Sequence, residues 1–513
     1  MAVLLKAMRT ITIGARASAL ARVQARLVGD ALAAHDPRLA IRYVFSDAQG
    51  DRDLGAPLPA LLREGGFTSE LSGALAASRI DLAVHSWKDL PFTDASATHV
   101  AATLERADPR DLLLVRRDRL VQGRAPRALR VLSCSARRAT NLRDFLPWAL
   151  PGGVEWIEFL PVRGDILRRL RHLLAGDADA LVVAKAAIDR LLTADGDLAP
   201  ARARVLAALD ACRLMVLPLA ANPAAPAQGA LAIEARRDRR DLAAALASIN
   251  HAPTFARVLE ERAQLAATRD EDHPFGASIV PVEGGPVRMR AEAVFLRGSL
   301  QGVSVETARL RDDDPLPRPA HREAVWTGER AGDLALRRVA LAADIGPPDA
   351  AHQGVLVARA DALPAGWSPA PRQVIWTAGL TTWRKLAARG YWVSGSDESL
   401  GETGALAARP LFPQVERWVK LSHAAGHDTP HATRLATYRL ERVAPLEDLR
   451  RCTHFFWRSG SQFREYLRAY PRLRDAWHGC GPGNTFAIIR AAIGPQRVRA
   501  FLSAGQFSAE MGA

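Results

Sequence analysis

Asp81-Leu-Ala-Val-His-Ser-Trp-Lys-Asp-Leu-Pro91 begins as a strand and ends as a polar turn. Leu82, Ala83 and Val84 form the short apolar run expected of a buried strand in a parallel sheet. Pro91 stops any continuation. His85, Ser86, Lys88 and Asp89 follow at once, at the carboxyl end of that strand, where open α/β sheets place their ligand crevice. By themselves Lys88 and Asp89 read first as a solvated ion pair at a strand end. The surrounding sequence decides between the two.

Upstream, Thr10–Ile13 reads as a first strand, and Gly14-Ala-Arg16-Ala-Ser18 as a turn into a helix over Ala19–Ala34. Ser18 is placed to cap that helix, and Leu20, Val23 and Leu27 share one face. A strand, a short polar turn and a helix together present backbone N–H groups to an anion. Ile41–Phe45 is a further strand and Phe67–Ala77 a helix. Downstream, the strands Arg130–Leu132 and Glu158–Val162 each run into a helix carrying arginines at its opening. Arg137 and Arg138 follow the first, beside Ser135; Arg163 and Arg169 follow the second. Guanidinium groups added to a positive helix N-terminus make a receptor for carboxylate or phosphate. Ala180–Val183 is a strand, Ala186–Leu192 a helix bearing Arg190, and Gln228–Glu234 a returning strand. This alternation predicts an α/β fold.

Beyond Asp241 two helices and the strands Val287–Leu296 and Val303–Leu310 suggest a small α+β domain. Residues 312–322 and 345–372, rich in Pro, Ala, Asp and Gly, read as linkers. A last α/β stretch contains short strands at Gln373–Thr377, Tyr391–Val393, Ala436–Leu440 and Thr453–Phe456.

The formal net charge of +14, carried almost entirely by arginine, implies an anionic partner. Nucleic acid is disfavoured because no basic stripe is interleaved with stacking aromatics. Cys134, Cys212, Cys452 and Cys480 are scattered, with no metal-ligand spacing, so no metal is expected and a reducing compartment is. The opening apolar run is too short for a signal peptide, and no window approaches the ~18 apolar residues of a membrane span. The expectation is a cytoplasmic protein, monomeric, with neither nucleic acid nor membrane as partner.

Taken in order, these blocks resemble porphobilinogen deaminase, or hydroxymethylbilane synthase, over about residues 9–345. The matching stretches are Ile13-Gly-Ala-Arg-Ala-Ser-Ala-Leu20 with Gln24, Gly50-Asp51, Phe67-Thr-Ser-Glu70 and Asp81–Pro91. Arg106-Ala-Asp-Pro-Arg-Asp111, Ser135-Ala-Arg-Arg138, Arg163-Gly164 with Arg169-Leu170, Asp189-Arg190-Leu191, Gln228-Gly-Ala-Leu231 and Glu261-Arg262-Ala263 complete the series. The resemblance implies two lobes like a periplasmic solute-binding protein: lobe 1 over 1–105, completed by about 216–240, and lobe 2 over 106–215. A small α+β third domain would span 241–345 and a linker 346–372. It also implies a transferase of heme and porphyrin biosynthesis that joins porphobilinogen units into a linear tetrapyrrole with loss of ammonia. Asp89 matches the family's catalytic aspartate. Arg16, Ser18, Lys88, Ser135, Arg137, Arg138, Arg163, Arg169 and Arg190 match the groups around the substrate and cofactor carboxylates. Residues 373–513 are similar to uroporphyrinogen-III synthase, through Tyr438-Arg439, Thr453–Phe456 with Ser459, and Gly481-Pro482 with Thr485. That stretch is short for a two-lobed fold, so a trimmed lobe is expected, and Tyr438 also fits a surface strand position.

The sequence departs from the family at the cofactor. The resemblance implies a dipyrromethane primer held by a thioether to a third-domain cysteine, shortly before Pro-x-Gly-Ala. Here Pro274-Phe-Gly276-Ala277 is in place, but Glu271 or Asp272 stands where the thiol belongs. The loop before Phe67 lacks the family's two lysines, Ser69 standing where one would be, and Asp165 replaces an asparagine. Covalent attachment is therefore doubtful. The alternative reading is a diverged, non-catalytic pyrrole-binding or partner protein.

Overall fold

The computed structural model describes residues 9–47, 68–91, 97–267, 275–282, 287–296, 299–309, 315–328, 336–341, 353–364, 366–367, 370, 372–401, 404–426, 431–442 and 446–512. The chain divides into two compact units. One comprises Met1–Pro147, Val154–Ser278 and Arg290–Val305, and the other Trp148–Gly153, Ile279–Met289 and Glu306–Ala513.

The first unit holds two five-stranded sheets. Its strands are β1 (Arg9–Arg16), β2 (Leu39–Ser46), β3 (Leu82–Ser86), β4 (Thr98–Ala102), β5 (Asp111–Arg116), β6 (Ala128–Leu132), β7 (Trp156–Leu160), β8 (Ala180–Ala184), β9 (Cys212–Val216) and β10 (Leu231–Arg236). The first sheet runs β2-β1-β3-β10-β4 and the second β7-β6-β8-β5-β9. In each, three parallel strands are followed by one antiparallel strand and a fifth antiparallel to that. The two sheets are thus the same arrangement twice. Two crossings join them, residues 103–110 outward and 217–230 on the return. The inner parallel strands β3 and β8 are buried on both faces, which is why β8 and the start of β3 read as unbroken apolar runs. The core of the first sheet gathers Ile11, Ile13, Leu82, Val84, Leu231 and Ile233 against Ala25, Val28 and Leu32 of the helix Ala19–His35.

Several expected boundaries move. β1 continues through Arg16, so Gly14 and Ala15 are strand rather than turn. The helix Ala199–Ala211 and strand β9 were not anticipated at all. That helix has almost no apolar face to detect, since Ala dominates both sides.

A three-stranded sheet follows, β11 (Phe275–Val280), β12 (Val287–Leu296) and β13 (Ser299–Arg309), in that order. The second unit contains β14 (Val325–Trp326), β15 (Leu336–Ala340), β16 (Gln353–Val357), β17 (Val374–Thr377), β18 (Gly395–Ser396), β19 (Arg417–His423), β20 (Ala432–Arg442), β21 (His454–Trp457), β22 (Trp477–Cys480) and β23 (Val498–Ala500). They form a six-stranded sheet, β15-β20-β19-β16-β17-β18, and a four-stranded one, β14-β21-β22-β23.

This corrects the sequence reading in four places. The stretch 346–372 is not a linker, because it contains β16, an inner strand whose Val355 and Val357 are fully buried. Leu316, within the other expected linker, packs with Phe456, Phe501, Phe507 and Met511. β14 and β15 likewise belong to the C-terminal sheets, so the third domain ends well before residue 345. Pro- and Ala-rich composition concealed these strands because alternation is short there. Tyr391–Val393 is not strand; the pairing residues are Gly395 and Ser396.

Candidate active site

Asp89 closes a single 3-10 turn, Trp87–Asp89, directly after β3. Trp87 anchors that turn: it is 2% exposed, packs on Ala227, Ala230, Ala232 and Val258, and meets Phe255 edge-on at 5.1 Å. Arg262 ties down the next residues, donating to the carbonyls of Leu90 at 3.1 Å and Pro91 at 2.7 Å. With Trp87 inward, the turn leaves Lys88 and Asp89 on the wall of a cavity of about 290 Å³.

The other expected site residues reach the same cavity from both sheets. Arg16 arrives at the end of β1. Ser18 caps the helix Ala19–His35, accepting from the Ala21 N–H at 3.4 Å. Ser135, Arg137 and Arg138 open the helix Ala136–Ala149 after β6. Arg163 lies in the loop after β7, and Arg169, on the helix Ile166–Ala175, donates from Nε to the Gly164 carbonyl at 2.8 Å. Arg190, on the helix Lys185–Leu192, donates to the Gly229 carbonyl at 2.7 Å. Gly229 has φ +87°, and a Cβ there would meet the Ala107 carbonyl oxygen at 2.4 Å, so only glycine lets the two crossings approach so closely. Glu271 and Asp272 lie outside the described residues.

The most heavily bonded group is one the sequence reading missed. Asp111, fully buried at the head of β5, accepts from Arg137 at 2.8 Å and from Arg138 twice, at 2.6 and 3.0 Å. Asn222 and Gln228 of the return crossing complete the set at 2.9 and 2.8 Å. Arg137 also donates to Asn222 at 3.0 Å and to the Pro223 carbonyl at 2.5 Å. Arg137 and Arg138 are therefore held by protein acceptors, and they present charge to the cavity more than open hydrogen bonds. An acid heading an otherwise apolar buried strand was the available signal, because a buried carboxylate needs cationic partners.

Burial would push the Asp111 carboxyl up, but Arg138 and Arg137 hold it far below the usual carboxylate range. Lys88 donates to Gln228 at 3.0 Å. Burial among arginines pushes its pKa down to about 8, against the opposing pull of Asp89 and Asp111. Burial likewise lowers Arg190 to about 10.

Two residues have other duties. His85 is buried, its Nε2 3.1 Å from Glu234, which also accepts from Thr98 at 2.5 Å; it belongs to the interior of the first sheet. Asp165 is the N-cap of Ile166–Ala175, accepting from the Arg168 N–H at 2.7 Å. It lines the cavity, as does Cys134.

The second unit has a cavity of its own, about 480 Å³, lined by Arg338, Arg359, His423, Tyr438, Arg458 and Ser461 among others. Tyr438 is not a surface residue: it is 6% exposed, its ring 5.9 Å from that of His423, and burial raises its pKa. Ser461 Oγ lies 3.1 Å from His423 Nε2. Ser459 caps the helix Gly460–Ala469, while Gly481, Pro482 and Thr485 do not line this cavity.

Two copies of one sheet arrangement, joined by two crossings with a strongly basic cavity on their facing loops, define a two-lobed α/β protein suited to a small anionic ligand. A family model described as porphobilinogen deaminase, dipyromethane cofactor binding domain, matches residues 11–244. The porphobilinogen deaminase of Mycobacterium tuberculosis (strain ATCC 25618 / H37Rv) is 41% identical over 258 residues, covering 50% of this chain and 74% of that protein. That of Mycobacterium marinum (strain ATCC BAA-535 / M) is 39% identical over 295 residues, covering 57% and 85%. Among solved structures, the periplasmic aliphatic sulphonate binding protein SsuA from Escherichia coli is similar at 14% identity and a TM-score of 0.26, over 52% of this chain and 72% of that one. The chain belongs to the porphobilinogen deaminase family. No helix among the described residues is long and apolar enough to cross a membrane.

Proposed function

We propose that the chain is a transferase of tetrapyrrole biosynthesis that joins porphobilinogen units with loss of ammonia, and that the basic cavity is where it does so. The observation that carries this reading is the convergence of Asp89 and all nine expected carboxylate-binding residues on one cavity. Loss of ammonia from an aminomethylpyrrole leaves an electron-poor azafulvene cation. Asp89, fixed by the buried Trp87 beneath it, stabilises that cation electrostatically and accepts a pyrrole N–H. The α-carbon of the next pyrrole then bonds to the exocyclic carbon and gives up its proton, with Asp89 acting as the base. Each pyrrole brings an acetate and a propionate, which Arg16, Arg163, Arg169 and Arg190 neutralise. Asp89→Asn should lower kcat by at least ~10²–10³ while KM changes little. Equal loss of binding and turnover would remove Asp89 from the reaction.

The absent family thiol favours a second reading, ligand binding without turnover. Ammonia release from porphobilinogen by the purified chain separates the two.

For the C-terminal module the proposal is a uroporphyrinogen-III synthase-like role, supported by Tyr438 standing buried on the wall of a cavity that Arg338, Arg359 and Arg458 also line. Tyr438→Phe should shift the isomer ratio of the cyclised product toward the spontaneous one. An unchanged ratio would reject the assignment.

A further inference from the structure

The family model matched by residues 11–244 is that of a dipyrromethane-binding domain, so the chain's own residues can be tested against that group. Its carboxylates fit. Seven cationic side chains on the cavity wall are set against Asp89 and Asp165 on the same wall and Asp111 immediately behind it. Cations outnumber acids among the described residues of this wall, and a dipyrromethane built from two porphobilinogen units carries four carboxylates.

Its attachment does not fit. A thioether needs a thiol, and no cysteine occurs between Cys212 and Cys452. Cys212 is fully buried within β9, and Cys452 and Cys480 belong to the second unit. Cys134 stands on the wall, but next to Ser135 and three residues from Arg137, in the middle of the ion-pairing surface. A pyrrole fixed there would cover the arginines instead of extending along them. Glu271 and Asp272 carry carboxylates, which cannot form that bond.

We infer that this chain holds its dipyrromethane as an exchangeable ligand, through ion pairs alone, and loads it from solution; this rests on the reading of the cavity proposed above. The complex is then salt-sensitive, which a covalent adduct is not.

The experiment uses the full chain and a synthetic dipyrromethane bearing two acetates and two propionates. Calorimetric titration should give one equivalent bound, with affinity falling at least ~10-fold between 50 and 500 mM salt. After incubation with porphobilinogen, the intact mass under denaturing conditions should equal that of the unmodified 55.5 kDa chain. Cys134→Ser should bind the probe with the same stoichiometry. A mass increase of two pyrrole units that survives denaturation overturns the inference, and peptide mapping would show whether Cys134 carries it. Failure of the native chain to bind either the dipyrromethane or porphobilinogen would instead overturn the parent reading.

Discussion

Asp111→Asn tests the electrostatic organisation of the cavity wall directly. The substitution keeps the shape of the side chain and removes its charge. Arg137 and Arg138, each 6% exposed, would then have no carboxylate between them. One of the two oxygens that now accept becomes an NH2 that points donors at donors. Breaking a buried ion pair from one side costs about 3–5 kcal/mol, because the remaining charge stays buried and unpaired. For a unit of this size that lowers Tm by on the order of 10 °C. Urea unfolding of the full chain should show the midpoint falling with an unchanged slope. Adding Arg138→Met should recover part of the loss, since it removes one of the stranded cations. The pH dependence gives a second check. Asp111 is held far below the usual carboxylate range, so below about pH 4 the unfolded chain binds the proton that the folded chain refuses. Its contribution is full above that pH and is lost as the pH falls further; in Asp111→Asn that part of the acid slope should vanish. A variant within ~1 kcal/mol of the parent, with the same acid slope, would refute the reasoning.

Lys88, lowered to about 8, should make affinity for a polycarboxylate decline as pH rises through 8, and Lys88→Met should flatten that titration. The same shift predicts fold stability rising between pH 8 and about 10.4, where the unfolded chain still holds the proton. Trp87→Ala should cost about 3–5 kcal/mol and also depress turnover, because the turn carrying Asp89 loses its anchor. Asp197→Ala removes the ion pairs to Arg22 and Arg26 but should leave the urea midpoint almost unchanged. Those groups are substantially exposed, and the apolar contact of Val23 with Ala194 and Leu198 remains. A clear fall of the urea midpoint would contradict that assignment.

The contrast between Arg138 and Arg169 shows where reading from sequence stops. Both stand at the opening of a helix after a strand, and both were expected to receive carboxylates. In the folded chain Arg138 spends its two-pronged face on Asp111, whereas Arg169 makes one bond to its own loop. Nothing local to either residue distinguishes them. The partner of Arg138 lies 27 positions away, and it is fully buried only because β5 is an inner strand of its sheet. His85 is a similar case: one residue from the polar turn, it faces the interior because side chains alternate along β3. The second unit was read less well. β16 was hidden in a Pro- and Ala-rich stretch, and Tyr438 becomes buried only through packing against elements far along the chain.

Local sequence settled the βα alternation, the capped helix after β1, and the cluster of residue types suited to an anionic ligand. Apolar runs and helix caps are short-range features, written in consecutive residues. Tertiary structure alone decided that Asp111 consumes Arg137 and Arg138, and that arginines from both sheets line one cavity. It also decided that the C-terminal module draws strands from before residue 345. These depend on which strands become neighbours, and that is settled by burying whole sheets, not by any one stretch of chain.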